Sequence, residues 1–438
     1  MKIAVFGAGK SGLAVAKKLG KNSVFLTEEK KRLDGNILSE LKRSGIKFEL
    51  GGHTEKALRG TDLIVVSPGI SLDIPSLRTA KKRNIPIIGE VELAYSFIKK
   101  PIIAVTGTNG KTTTTALIGR ILRDYGCRVA VAGNIGHPLI SVNDKRLDCV
   151  VAEISSYQLE TAKNFKPWIS IILNITEDHL TRHKTMKAYA DAKAKIFGRQ
   201  GRGDFLIYNR DDKRVAGIAG KAKCKKIAFS QDRRIKDGAF VDKGTIFYGT
   251  KPVCRVGEIR IKGRHNAENC LAAVAAAMIC KVPPSSIKKT LMEFRGVEHR
   301  IEFVKRSAGV SFYNDSKGTN PDSTIVAIKA LYPAHKLILI LGGRDKMTDL
   351  GPLGREIKRH VKDVVLVGEA KDRFRRALKK TGYKNIYDAK TFNEAVKRSY
   401  KLAAAGDAVL LSPACASFDM FRNFEERGKV FKTIVAKL

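Results

Sequence analysis

Residues 105–113, Val-Thr-Gly-Thr-Asn-Gly-Lys-Thr-Thr, constrain this chain more than any other segment. They join a predicted strand over residues 101–106 to a periodic apolar pattern that predicts a helix. Glycines at such a turn let backbone N–H groups close around phosphate oxygens, and the helix N-terminus adds the positive end of its dipole. Two residues rather than four separate the glycines, so the P-loop spacing is not met although its strand–loop–helix context is. The sequence therefore predicts a phosphate-binding loop in which Lys111 neutralises charge and Thr112 offers a hydroxyl to Mg²⁺.

Length and composition indicate a multidomain protein of the cytoplasm. The 438 residues are 43% hydrophobic, which is enough for several cores, so we expect two or three domains. No stretch reaches the ~18 apolar residues of a membrane span, and a predicted strand begins at Lys2 where a signal peptide would lie. Seven cysteines without a Cys-x-x-Cys pair favour reduced thiols over a disulfide framework or a zinc site.

The net charge is +39, from 82 lysine and arginine residues against 43 aspartate and glutamate residues. Such a charge on its own suggests a nucleic-acid or other anionic partner. The basic residues are spread over almost every predicted helix, however, without interleaved aromatic residues or a recognition motif. We therefore expect solvated helix faces and no specific nucleic-acid partner, while anionic substrates benefit from the positive field.

Apolar strand patterns alternate with helix patterns in three successive segments of the chain. This alternation predicts the α/β class with mainly parallel sheets. We place the boundaries near Lys99 and Gly296, which divides the chain into residues 1–98, 99–296 and 297–438.

The first segment opens with a glycine motif of its own. Gly7, Gly9 and Gly12 follow a predicted strand over residues 2–6, and Glu28 lies about 20 positions beyond the first glycine. This is the fingerprint of an NAD site, but glycine-rich turns also hold the diphosphate of other nucleotides. The motif therefore predicts a nucleotide subsite and does not by itself decide which nucleotide.

Polar residues of the second segment follow predicted strands at the point where each strand ends. Glu153 follows the strand over residues 148–152, so its carboxylate can reach a Mg²⁺ held by Thr112 and the phosphates. The polar run 174–179, which ends in His179, follows the strand over residues 168–173. Because open parallel sheets place ligands at the carboxyl ends of their strands, we expect these groups to converge on the phosphate loop.

Lys193 lies on the apolar stripe of a helix predicted over residues 186–197, whereas Lys195 lies off it. A lysine on a buried face must be paired, neutral or modified, because burial disfavours the ammonium form. A neutral amine there could react with carbon dioxide to give a carbamate, a carboxylate-like metal ligand. A side chain that snorkels to a partly exposed edge is the alternative interpretation.

Several long motifs, taken in chain order, together resemble those of the Mur ligases, which are ATP-dependent amide ligases. They extend over essentially the whole chain, and the last of them is similar to the branch of the family that adds D-glutamate. The matching segments are residues 106–113, 133–136, 153–160, 174–183, 265–269, 314–317 and 411–428. The sequence departs from the family pattern at Thr181, where many relatives carry an acid, and at residues 27–29 on the uracil side.

This resemblance implies three domains: a Rossmann-like N-terminal domain for a UDP-linked substrate, a central P-loop-type ATPase domain, and a Rossmann-like C-terminal domain that brings the amino acid. It implies ligation of D-glutamate to UDP-N-acetylmuramoyl-L-alanine through an acyl phosphate, with ATP and two Mg²⁺ ions and without NAD. We expect a cytoplasmic monomer with no membrane partner.

The resemblance also assigns residues to roles, position by position. The catalytic residues are Lys111, Glu153, His179 and Lys193, and the metal ligands are Thr112, Glu153, His179 and carbamylated Lys193. The ATP-binding residues are Gly107, Thr108, Asn109, Gly110, Lys111, Thr112, Thr113, Asn266, Asn269, Arg300 and Asp315. The residues that bind the other substrates are Ser11, Gly69, Asn134, Lys317, Thr319, Lys346, Ser417, Phe418 and Phe424.

Two other function classes stay open at the level of sequence. A related amide ligase could add another amino acid or use another acceptor such as folate, and phosphate release with D-glutamate, L-alanine, L-lysine and a diamino acid distinguishes these. A nucleotide- or nucleic-acid-binding protein without ligase activity is the other alternative, which salt-dependent DNA retention without phosphate release from a muramoyl substrate would favour.

Overall fold

The computed structural model describes residues 1–33, 35–345 and 348–438, and these residues form three sheets. They divide into two compact units, one of residues 1–259 with 266–294 and one of residues 260–265 with 295–438. The first two sheets belong to the first unit and the third sheet belongs to the second. The division into residues 1–98, 99–296 and 297–438 stays a prediction.

The N-terminal sheet is entirely parallel and has the strand order β3-β2-β1-β4-β5. Its strands are β1 (Ile3–Phe6), β2 (Val24–Glu28), β3 (Lys47–Leu50), β4 (Leu63–Val66) and β5 (Ile87–Gly89). Its helices are α1 (Lys10–Leu19), α2 (Gly35–Arg43), α3 (Pro75–Lys82) and α4 (Glu90–Phe97).

The central sheet has the order β14-β13-β12-β11-β10-β9-β6-β8-β7 and is parallel except for the meander β12-β13-β14. Its strands are β6 (Ile102–Thr106), β7 (Val129–Gly133), β8 (Cys149–Glu153), β9 (Ile169–Ile172), β10 (Phe205–Asn209), β11 (Lys225–Ser230), β12 (Gly238–Asp242), β13 (Thr245–Tyr248) and β14 (Lys251–Arg255). Its helices are α5 (Lys111–Asp124), α6 (Ser156–Glu160), α7 (Leu180–His183), α8 (Met186–Ala194), α9 (Lys213–Ala219), α10 (Arg264–Ile279) and α11 (Pro284–Glu293).

The C-terminal sheet has the order β15-β16-β20-β17-β18-β19, and only the edge strand β15 is antiparallel to its neighbour. Its strands are β15 (Glu302–Ser307), β16 (Val310–Asn314), β17 (Leu337–Gly342), β18 (Val361–Val367), β19 (Ile386–Asp388) and β20 (Ala408–Leu411). Its helices are α12 (Pro321–Leu331), α13 (Gly351–His360), α14 (Lys371–Lys380), α15 (Phe392–Leu402) and α16 (Phe424–Ala436).

One hydrophobic core extends through the first unit and includes Val5 of β1, Ala104 of β6 and Leu206 of β10. Helix α4 is fastened to the central sheet by polar contacts as well. The Glu92 carboxylate accepts three backbone N–H groups, from residues 163, 164 and 165, at 2.8–3.0 Å. The first sheet is therefore held to the central one by buried carboxylate contacts in addition to apolar packing.

The structure confirms the predicted α/β class with mainly parallel sheets. Helix α1 begins at Lys10, directly after its N-cap Gly9. The predicted helix over residues 186–197 ends as an α-helix at Ala194 and continues as a 3₁₀ turn. No helix among the described residues combines the length and apolar composition that a bilayer span requires.

Candidate functional site

The phosphate loop connects β6 to α5, as the sequence predicts. Gly110 is the N-cap of α5, has a left-handed φ of 83°, and supplies no side chain to cap the first amides of the helix. A Cβ at this position would lie 2.2 Å from Oδ1 of Asn269, so only glycine fits here. The N-cap of α5 is therefore a residue without a side chain, which leaves room for an anion at the positive end of the helix dipole.

Asn174 holds the loop from the neighbouring strand end. Its Oδ1 accepts hydrogen bonds from the backbone N–H groups of Thr108 and Asn109, at 3.1 and 2.8 Å. Its Nδ2 donates to the Asn109 carbonyl at 3.2 Å. The sequence predicts that Asn174 lies at the carboxyl edge of the sheet, but it does not indicate a role for the side chain. The direction of that side chain depends on the loop that it contacts.

Two lysine amines meet at one carbonyl beneath the loop. Lys111 Nζ donates to the Gly107 carbonyl at 3.0 Å, and Lys193 Nζ donates to the same oxygen at 2.8 Å. Lys193 is 1% exposed, as its place on the apolar stripe predicts. Burial, and then repulsion from Lys111, hold the pKa of the Lys193 amine well below its ordinary value. The neutral amine required for carbamate formation is therefore favoured at this position.

Glu153 ends β8 and lies at the same edge of the sheet, with 2% of its surface exposed. Its Oε1 accepts a hydrogen bond from Nδ2 of Asn134 at 2.7 Å, whereas its buried Oε2 has no hydrogen-bond partner among the described residues. A buried carboxylate oxygen without a donor is costly unless a cation or water satisfies it. The donor set of Glu153 and the Thr112 hydroxyl, which lies on the first turn of α5, fits Mg²⁺, which prefers oxygen ligands.

His179 has a left-handed φ of 55° and is oriented by two side chains. Its Nδ1 lies 3.0 Å from the Tyr157 hydroxyl and its Nε2 lies 3.3 Å from the Asp178 carboxylate. Burial lowers the pKa of the His179 imidazole; Asp178 opposes this shift, while Lys111 and Lys193 add to it. A neutral imidazole is the form that ligates a metal.

Behind His179 lies an ion pair that the sequence did not predict. Arg182 forms a bidentate pair with Glu160, with Nε and Nη2 at 2.6–3.2 Å from the carboxylate. Its Nη2 also donates to the carbonyl of Ile70, 112 residues earlier in the chain, at 2.9 Å. No local pattern signals a contact over that sequence distance.

The N-terminal glycine turn packs closely, because a Cβ on Gly12 would lie 1.8 Å from the Gly7 carbonyl oxygen. The Glu28 carboxylate accepts the Ala8 N–H at 2.7 Å, so the acidic residue of the motif lies directly beside the turn. Ser11 lies in the first turn of α1, and Gly69 lies in the turn after β4. Both predicted substrate contacts of this segment therefore follow carboxyl ends of parallel strands.

Helix α10 carries the two predicted asparagines of the first unit. Asn269 is buried, accepts from the Thr114 hydroxyl at 3.2 Å, and donates to Oδ1 of Asn266 at 3.2 Å. Asn266 is thereby placed one helical turn from a residue that contacts α5 directly.

In the second unit, Asp315 directly follows β16, whose parallel neighbour is β20. Asp315 is buried and accepts from the Ser412 hydroxyl at 2.6 Å, and burial raises the pKa of its carboxyl to about 6. Arg300 lies between two residues with left-handed φ, and its buried Nε has no hydrogen-bond partner among the described residues.

The remaining predicted residues of this unit differ in exposure. Ser417 is buried, Phe418 is 62% exposed, and the Lys317 ammonium lies 5.7 Å from the centre of the Phe424 ring. Thr319 donates its backbone N–H to the Lys317 carbonyl at 2.8 Å. Lys346 lies outside the described residues.

Three family descriptions match the chain in succession. A "Mur ligase MurD-like, N-terminal domain" matches residues 1–89, a "Mur ligase middle domain" matches residues 105–277, and a "Mur ligase, glutamate ligase domain" matches residues 299–415. The relatives include a UDP-N-acetylmuramoylalanine--D-glutamate ligase of Pelotomaculum thermopropionicum, 44% identical over 100% of this chain and 98% of that protein. Proteins of the same name from Thermoanaerobacter sp. and Clostridioides difficile are 46% and 43% identical over 100% of this chain and 98% of theirs.

Solved structures show the same fold. The UDP-N-acetylmuramate-alanine ligase MurC of Thermotoga maritima is similar with a TM-score of 0.62 and 20% identity, over 100% of this chain and 99% of that one. MurF of Acinetobacter baumannii is similar with a TM-score of 0.63 and 18% identity, over 99% and 93% of the two chains. These likenesses establish a shared three-domain architecture.

Proposed function

The chain belongs to the Mur ligase family and ligates D-glutamate to UDP-N-acetylmuramoylalanine in an ATP-dependent reaction of peptidoglycan precursor synthesis, and we propose that residues 105–113 are where it activates the acceptor. Full-length relatives of that activity, at 41–46% identity, support the reaction. The observation that carries the proposed site is the phosphate loop, with two lysine amines on the Gly107 carbonyl and the orphaned Oε2 of Glu153 at the same sheet edge.

The chemistry requires an activated acid, because a carboxylate does not react with an amine. The terminal carboxylate of the acceptor attacks the γ-phosphorus of ATP, the bond to the β,γ-bridging oxygen breaks, and ADP leaves. The free amine of D-glutamate, having lost a proton, then attacks the acyl carbon, and inorganic phosphate leaves from the tetrahedral oxyanion. Lys111 and the loop amides stabilise the charge that spreads over the transferring phosphoryl group.

Four residues would hold the divalent cations: Thr112, Glu153, His179 and carbamylated Lys193. The lowered pKa of Lys193 supports carbamylation, because only the neutral amine adds to carbon dioxide. Two Mg²⁺ ions would neutralise phosphate charge and align the reacting oxygens. Equilibration with ¹³C-bicarbonate should give a carbamate carbon signal that the Lys193→Arg variant lacks.

The other predicted residues have binding roles in this proposal. Ser11, Gly69 and Asn134 contact the UDP-linked substrate, and Asn266, Asn269, Arg300 and Asp315 contact ATP. Lys317, Thr319, Lys346, Ser417, Phe418 and Phe424 form the pocket for D-glutamate. We also propose that the enzyme works as a cytoplasmic monomer without NAD, and that it has no specific nucleic-acid or membrane partner.

A coupled assay of ADP release tests the site. With UDP-N-acetylmuramoyl-L-alanine and Mg²⁺ present, release should require D-glutamate and should not be supported by L-glutamate. Lys111→Ala should lower turnover on the order of 10²–10³-fold, because the transferring phosphoryl group loses its cation. Lys187→Ala, an exposed lysine of α8, is the matched control and should behave as wild type. Turnover of Lys111→Ala near that of the control would contradict the assignment.

A further inference from the structure

Arg182 contacts the turn after β4 and the end of helix α6 at once. Its guanidinium is mostly buried, with 18% of the side chain exposed, and it pairs with Glu160, which is 17% exposed. Its Nη2 is shared between the Glu160 carboxylate at 2.6 Å and the Ile70 carbonyl at 2.9 Å. A planar guanidinium can satisfy both acceptors simultaneously, which a lysine ammonium in the same place cannot do with the same geometry.

On one side of Arg182 lies the turn of residues 67–70, which we name the substrate turn. The Ile70 N–H donates to the Ser67 carbonyl at 3.0 Å, which closes the turn around Gly69. The Ser67 hydroxyl donates to the Gly7 carbonyl at 3.3 Å, so the turn is also attached to the N-terminal glycine turn. The Arg182 contact thus fixes the end of a short hydrogen-bonded segment that contains the proposed substrate contact Gly69.

On the other side lies His179. The Arg182 guanidinium lies 5.0 Å from the centre of the Tyr157 ring, a cation–π distance. The Tyr157 hydroxyl lies 3.0 Å from Nδ1 of His179, and the two rings are 4.9 Å apart. The Tyr157 hydroxyl at Nδ1 and the Asp178 carboxylate, 3.3 Å from Nε2, together fix the orientation of the His179 ring.

We propose that Arg182 is a positioning residue that couples the substrate turn to His179 through Tyr157. The inference rests on the proposed function, in which Gly69 contacts the UDP-linked acceptor and His179 ligates Mg²⁺. Binding of the acceptor then favours the His179 orientation that accepts the metal, and by reciprocity Mg²⁺ favours acceptor binding. Glu160 holds the guanidinium in place from the opposite side.

Two measurements separate this role from a merely structural one. The first is the Kd of UDP-N-acetylmuramoyl-L-alanine by calorimetry without nucleotide and without Mg²⁺, and the second is the Mg²⁺ concentration that gives half-maximal phosphate release. Arg182→Lys should raise both about tenfold, as loss of one charge-assisted hydrogen bond predicts. Tyr157→Phe should raise only the Mg²⁺ requirement, because it removes the hydroxyl that contacts His179 and leaves the contact between Arg182 and the substrate turn in place.

Arg128→Lys is the matched control, since Arg128 also forms a bidentate pair, with Asp148, but at the amino edge of the central strands. It should change neither constant.

Glu160→Gln, which keeps the shape of the side chain and removes its charge, should raise both constants as Arg182→Lys does, and it replaces that variant in the test if Arg182→Lys does not fold. An acceptor Kd of Arg182→Lys equal to wild type, or a raised Kd with an unchanged Mg²⁺ requirement, would overturn the coupling. Failure of the proposed function would instead appear as absent D-glutamate-dependent ADP release by the wild type.

Discussion

At the scale of single residues, Asn174 supports the phosphate loop in the conformation that the structure shows. Its side-chain amide accepts the Asn109 N–H and donates to the Asn109 carbonyl, and it shares the Thr108 N–H with the backbone carbonyl of Asn174. Asn174→Ala should therefore raise the KM for ATP about tenfold, because the loop must be ordered during binding. Steady-state kinetics at saturating acceptor and D-glutamate measure this effect.

Asn385→Ala is the control for this residue, since Asn385 also supports a carbonyl through Nδ2, that of Lys362, but in the other unit. The prediction is wrong if both variants have the KM of the wild type. The contrast with Lys193 shows what a sequence can reveal about a residue. A lysine on an apolar stripe interrupts the hydrophobic periodicity of its helix and can be recognised in the sequence. An asparagine at a strand end gives the same sequence pattern whether it hydrogen-bonds to a loop or faces solvent.

At the scale of elements, close packing of α5 on β7 depends on Gly119. A Cβ there would lie 2.4 Å from Cγ2 of Val131. Gly119→Ala gains helix propensity, but the overlap forces Val131 or the helix to move, so we expect destabilisation of ~1–3 kcal/mol. Denaturant unfolding of the variant and the wild type measures the difference.

Gly217 of α9 provides a matched helical glycine, because a methyl group there would meet no atom within 4 Å. Gly217→Ala should stabilise by ~0.5–1 kcal/mol, the difference in helix propensity between the two residues. If the free energy of unfolding changed equally and with the same sign in the two variants, packing of α5 against β7 would not be the cause of the change in Gly119→Ala.

Elements with continuous apolar runs, such as β6, β8 and β9, are evident in the sequence because parallel strands covered on both faces need them. The meander β12-β13-β14 was not predicted. Its first hairpin turns through Lys243 and Gly244, both with left-handed φ. Lysine is an unusual first residue for such a turn, where Asn-Gly or Asp-Gly would have been a clear signal.

At the scale of the whole molecule, contacts between the first two sheets could not be predicted, because each element shows only its own periodicity. Helix α4 illustrates this with two carboxylates two residues apart. Glu90 accepts the Ile140 N–H at 2.7 Å, and Glu92 accepts three amides beyond residue 160. Both glutamates are buried, and the resemblance to a known family assigned neither of them a role.

Replacing each of these glutamates by the uncharged glutamine should change the stability of the protein in opposite directions. Burial raises the pKa of the Glu90 carboxyl to about 7, against hydrogen bonds from Ile140, Gln158 and Leu139, which lower it. The folded state therefore holds a proton between pH 4.5 and 7 that the unfolded state has released, so Glu90 lowers stability as pH rises through that window. Glu90→Gln removes this penalty and should stabilise the protein at pH 8 by at most ~3 kcal/mol, with almost no effect near pH 4.5.

Glu92→Gln should destabilise at pH 8, because a carboxylate that accepts three backbone amides is replaced by a weaker acceptor with N–H donors of its own. Thermal unfolding of both variants and the wild type at pH 5, 6, 7 and 8 measures the two effects together. The difference between Glu90→Gln and the wild type should grow with pH and level off above pH 7. A difference that does not change with pH would mean that Glu90 titrates alike in the folded and unfolded chain, and that burial between the two sheets does not perturb its carboxyl.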